Sequence, residues 1–116
     1  MTDAFEEHES LLDSTSFIFL DDVRQPPSMH WDIARDAKSA YVLIREAYDA
    51  GREIVVSLDH DLGENIPTGY DLLNWLEKDI ATTDFRPKIA FAIHSANPVG
   101  RTRMEQAIRA IESRLL

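Results

Sequence analysis

Three apolar runs of strand length in this chain each break into a knot of groups that bind cations or move protons. Phe17-Ile18-Phe19-Leu20 leads into Asp21, Asp22 and Arg24. Ile54-Val55-Val56-Ser57-Leu58 leads into Asp59-His60-Asp61. Ile89-Ala90-Phe91-Ala92-Ile93 leads into His94-Ser95-Ala96-Asn97. Ligands of open parallel α/β sheets bind beyond the carboxyl ends of the strands, near a switch in strand order. If the runs are neighbouring parallel strands, these groups share one crevice.

The segments between the runs have helical spacing. Ala37, Ala40, Tyr41, Ile44, Ala47 and Tyr48 recur as one helix face, with Asp36 as a plausible N-cap and Gly51 as a plausible C′ residue. Thr68 caps a second helix, with Asp71 at the capping-box position and Leu72, Leu73, Leu76 and Ile80 as its buried stripe. Asn97-Pro98 opens a third, whose inner face is Met104, Ala107, Ile108, Ile111 and Leu115. Alternation at Trp31–Arg35 predicts a further short strand. Strand, strand, helix, strand, helix, strand, helix predicts a small α/β domain with a mainly parallel four-stranded sheet. Right-handed crossovers and helices on both faces complete the expected three-layer arrangement.

At 116 residues the chain is long enough for one domain with a real core. Residues 1–16 carry five acidic side chains and no Lys or Arg, so they read as an acidic arm ahead of a domain at 17–116. Twelve Lys and Arg against 21 Asp and Glu give a net charge of −9. That argues against an extended nucleic-acid surface, which needs a basic face, but leaves room for a small phosphorylated ligand or an RNA end held by a few arginines. Cysteine is absent, which removes disulfides and thiolate metal sites. No apolar run is long enough to span a membrane and no leader is visible, so the expected location is the cytoplasm.

Three groupings carry the chemistry. Asp21, Asp22 and Asp59 form a carboxylate cluster suited to a hard divalent cation such as Mg²⁺. Aspartates also cap turns after strands, yet turn capping does not explain three clusters on one edge. His60 and His94 form a base and acid pair for phosphodiester chemistry, with Asp59 or Asp61 orienting one ring. Equally open at this point are histidines that ligate Zn²⁺ or Mn²⁺, and histidines held structurally by carboxylates. Third, the helix start at Pro98 offers free N–H groups to an anion. Ser95, Asn97, Gly100 and Arg101 stand beside it, and Arg24 could hold phosphate from the first strand end.

These motifs resemble a known family. Phe19-Leu20-Asp21-Asp22 and the Asp59 strand end are similar to the acidic pocket of response-regulator receiver domains, and Ser95 sits where receivers carry a hydroxyl residue. The fuller set is Leu20-Asp21-Asp22-Val23-Arg24 with Pro26-Pro27, Ser57-Leu58-Asp59-His60-Asp61-Leu62-Gly63, Thr68-Gly69-Tyr70-Asp71 and His94-Ser95-Ala96-Asn97-Pro98-Val99-Gly100-Arg101. It resembles the cyclic-phosphate processing receiver-like family of bacteria and phages, over about residues 17–112.

The resemblance implies a truncated flavodoxin-like sheet of order 2-1-3-4. It also implies an association with RNA end repair, and a site lined by Asp21, Asp22, Asp59, His60, Asp61, His94, Ser95, Asn97 and Arg101. Signalling receivers end a fifth strand in an essential lysine. The lysines here are Lys38, Lys78 and Lys88, none of them after a late strand.

The expectation is a phosphoesterase acting on a cyclic phosphate, such as the 2′,3′-cyclic end of an RNA or a nucleotide, with or without a divalent metal. The alternatives are a receiver-like module that takes phosphate on Asp59 or binds a partner, and a protein that sequesters a cyclic nucleotide.

Overall fold

A computed structural model describes residues 14–116, so most of the expected acidic arm lies outside the described residues. The elements are β1 (Thr15–Leu20), β2 (Trp31–Ala34), α1 (Ala37–Asp49), β3 (Glu53–Leu58), α2 (Gly69–Thr82), β4 (Ile89–Ile93) and α3 (Pro98–Leu115). All four strands are parallel, in the order β2-β1-β3-β4. This is the receiver-like α/β arrangement.

Each helix begins and ends for a local chemical reason. The Asp36 side chain accepts from Ser39 N at 2.7 Å and opens α1. The same helix closes in a Schellman turn: Arg52 N donates to Ala47 O and Gly51 N to Tyr48 O, with Gly51 at φ 73°. Thr68 and Asp71 make both halves of the capping box of α2. Asn97 caps α3 by accepting from Gly100 N at 3.0 Å, and Pro98 occupies the first turn, where no N–H is needed.

The core lies between the sheet and the helices. Ile18, Leu20, Ala34, Ile54, Val56 and Leu58 meet the apolar stripes of α1, α2 and α3 in one buried cluster. Side chains alternate across a strand, so Phe17, Phe19, Val55 and Ser57 point to the other face. There Phe17 and Phe19 pack edge-on against Trp31, at centroid distances of 5.4 and 6.1 Å.

Helices were expected on both faces, and among the described residues they cover one. The crossovers β2–α1–β3 and β3–α2–β4 step the same way across the sheet, so right-handedness puts both helices on the same side. Helix α3 then packs on α2. Only a helix between β1 and β2 would step the other way, and the short segment 21–30, broken by Pro26-Pro27, forms none. Among the described residues no helix is long and apolar enough to cross a membrane.

Candidate functional site

Register decides where the polar groups fall. Leu20 is paired with Ala34 on one side and Leu58 on the other, and Leu58 with Ile93. The strands therefore end in one row, and the ionisable residues begin one step beyond it. Main-chain bonds continue over that step: Asp21 N to Ala34 O at 3.1 Å, Asp59 N to Leu20 O at 2.9 Å and His94 N to Leu58 O at 2.9 Å. Asp21, Asp59 and His94 are thus a rigid extension of the sheet, next to the β1–β3 switch in strand order.

The first cluster centres on Asp21, which is fully buried. Its Oδ1 accepts from Val23 N at 2.9 Å and Arg24 N at 2.8 Å, and its Oδ2 lies 3.0 Å from Nε2 of His94. Burial pushes the Asp21 pKa up, but the N–H groups of Arg24 and Val23 together with His94 outweigh it, and the carboxyl stays below its ordinary range. The other ring nitrogen of His94, Nδ1, is 2.7 Å from Ser57 Oγ. The imidazole stacks on Phe19, with centroids 4.5 Å apart and planes within 3°.

Asp59 shares this cluster and behaves oppositely. Its desolvation and then the negative charge of Asp21 raise its pKa, against the His60 N–H, His94 and a hydrogen bond with Ser95. One ligating atom from each of Asp21, Asp59 and His94 falls within 4.8 Å of the others.

The second cluster is built from β3 and α3. Nδ1 of His60 is 2.9 Å from Asp61 Oδ1. Asn97 Nδ2 donates to Asp61 Oδ2 at 3.2 Å, while Asn97 Oδ1 caps α3. These bonds from His60 and Asn97 hold the Asp61 carboxyl below its ordinary range. The His60 ring rests on Gly100, where an added Cβ would come within 2.5 Å of its Cγ. Nε2 of His60 makes no hydrogen bond to a described residue.

The structure sorts the predicted residues rather than pooling them. Asp21, Asp59 and His94 gather on one side, with Ser95 buried beside Asp59; His60, Asp61, Asn97 and Gly100 gather on the other. The two histidines are held in different clusters, with Asp59, the residue before His60, belonging to His94's cluster. Asp22 is half-buried next to this group and is not one of the three in ligating reach of one another. Arg24 and Arg101 each use Nη1 on the main chain at the end of β4, on His94 O at 3.3 Å and on Ser95 O at 3.2 Å.

Two contributors escaped the sequence reading. Ser57 sits inside an apolar run; its signals are that it is the polar residue there and that it opens the Ser57–Gly63 motif, and neither marked it as a site residue. Arg35 fastens the loop after β1 by donating to Asp21 O and Arg24 O.

Carboxylates this close fit a divalent cation. Asp59 has acceptor capacity to spare, whereas Asp21 already accepts three donors and both nitrogens of His94 are engaged. Asp59 would therefore be the main oxygen ligand, with the one lone pair left on Asp21 Oδ2 beside it and Asp22 adjacent. A cavity of about 410 Å³ opens at the opposite edge of the sheet, lined in part by Tyr48, Arg52, Arg86 and Lys88. It lies away from the two clusters, Glu53 is the carboxylate among its lining residues, and Arg86 is spent on the carbonyls of Ile80, Thr83 and Phe85.

The family model of the cyclic-phosphate processing Receiver domain matches residues 16–110. The chain belongs to this family, and its carboxyl-edge clusters are built from the motifs by which it resembles it. No curated protein and no solved structure matches the chain significantly.

Proposed function

We propose that the chain hydrolyses a cyclic phosphate ester, such as a 2′,3′-cyclic phosphate at an RNA end or in a nucleotide, at the carboxyl edge of β1, β3 and β4. Water attacks phosphorus, one ester P–O bond breaks, and the leaving oxygen takes a proton, giving a phosphomonoester. The observation that carries this reading is His60: one nitrogen is oriented by Asp61, and the other makes no hydrogen bond to a described residue. That is the arrangement of an acid–base imidazole.

In the metal-free site Asp59, with its pKa raised, serves as the partner that accepts a proton from water. A divalent cation on Asp21 and Asp59, when bound, would make water a better nucleophile. Arg24 and Arg101, each anchored by one nitrogen, hold phosphate oxygens with their remaining N–H groups, and Ser95, Asn97 and Gly100 shape the α3 side of the pocket.

Incubating the purified chain with cyclic nucleotides and cyclic-ended RNA, with chelator or with Mg²⁺, Mn²⁺ or Zn²⁺, tests this by ³¹P NMR. Conversion to monoester that is lost in His60→Asn is expected; a spectrum unchanged under every condition rejects it. A second reading, phosphate transfer to Asp59, is favoured by the position of that carboxylate after β3 beside Asp21. A stable beryllofluoride adduct on Asp59 would support the transfer reading. Calorimetric binding without product would instead indicate sequestration.

A further inference from the structure

We propose that Ser57 is a positioning residue: its hydroxyl donates to Nδ1 of His94, holds that ring in the Nε2–H form on Asp21, and leaves His60 as the imidazole that exchanges protons with substrate. The proposal deepens the hydrolase reading and rests on it for the role of His60.

The assignment follows from what each atom can do. Oδ1 of Asp21 accepts from two backbone N–H groups, so this carboxylate acts as an acceptor. The atom of His94 facing its Oδ2, Nε2 at 3.0 Å, must then carry the hydrogen. In the neutral ring Nδ1 is left with a lone pair, and the partner there is Ser57 Oγ at 2.7 Å. Ser57 is only 8% exposed, and a buried hydroxyl that kept its hydrogen unpaired would cost stability. Donation to Nδ1 satisfies both groups at once. Stacking on Phe19 fixes the ring plane, so neither nitrogen of His94 is open to substrate. His60 differs in the relevant respect, since its Nδ1 is held and its Nε2 is held by no described residue.

Without the Ser57 hydroxyl, the lone pair of Nδ1 would face a buried wall with nothing to accept from. The ring is then expected to turn or to exchange tautomers, loosening Asp21 and with it the neighbour that sets the ionisation of Asp59.

Tautomers are read directly from two-bond ¹⁵N–¹H correlation spectra of the imidazoles, recorded with chelator at a pH where the ring is neutral. The wild type should show His94 as Nε2–H. Ser57→Ala should lose that pattern and Ser57→Thr, which keeps the hydroxyl, should retain it. In parallel, kcat on a cyclic phosphate should fall about tenfold in Ser57→Ala with KM unchanged, and recover in Ser57→Thr.

A wild-type His94 in the Nδ1–H form overturns the proposal. So does Ser57→Ala with both spectrum and kcat unaltered. If the wild type is inert toward every cyclic phosphate, the hydrolase reading and the role given to His60 fall, while the spectrum still decides whether Ser57 sets the tautomer of His94.

Discussion

Asp59 carries a charge that its surroundings do not favour. Burial and Asp21 place its folded pKa above its ordinary value of 3.8, so the native state keeps a proton that the unfolded chain gives up. Its contribution to stability is therefore full below the unfolded value and lost as pH rises through the folded one. Chelator-treated Asp59→Asn, which never ionises, should melt above the wild type at pH 7, with the gap closing toward pH 3.8; thermal melts across that range check this. Asp21 has the opposite sign. Its lowered pKa gives stability that is present above 3.8 and lost as pH falls through the folded value.

Gly100 offers a second test at this scale. Alanine would add about 1 kcal/mol of helix preference, but its Cβ would meet His60 Cγ at 2.5 Å, and such overpacking costs about 1–3 kcal/mol. Gly100→Ala should thus change unfolding free energy little or lower it modestly. Displacement of His60 by about 1 Å would lower kcat on the order of 100-fold. Steady-state kinetics alongside urea unfolding separates the two effects. Residue identities at the carboxyl edge were legible in the sequence because strand ends are marked by a change from apolar to ionisable. Pairings were not, because the Ser57–His94–Asp21 contact depends on sheet register, which joins residues far apart in the chain.

At the scale of elements, helix starts were the most legible feature, since a cap is a local event. Asp36, Thr68 and Asn97 all accept from the backbone as their spacing predicts. Gly69, the residue after the Thr68 cap, lets α2 approach the site closely, because its N donates to His60 O and an added Cβ would clash with Asp59 O. Thr68→Ala should cost about 1 kcal/mol in urea unfolding, and a loss near zero would mean that α2 is held by its packing alone. Strand β2 was harder to read. It is short and lies at the sheet edge, so its alternation is brief, yet it ends within a residue of the expected position.

For the whole molecule, the alternation of strands and helices told that the sheet is parallel but not which face the helices cover. That follows from the direction of each crossover, and two steps the same way leave the Phe17, Trp31 and Val55 face without a described helix. The same topology aligns Leu20, Leu58 and Ile93 and so brings the residues after them to one edge. Crystals soaked with a nucleoside 2′-monophosphate or 3′-monophosphate and a divalent cation would test this most directly. Phosphate is expected at the β3–β4 edge, within about 3 Å of His60 Nε2 as hydrogen bonding requires. Phosphate seated instead among Arg52, Arg86 and Lys88 at the far edge would contradict the account.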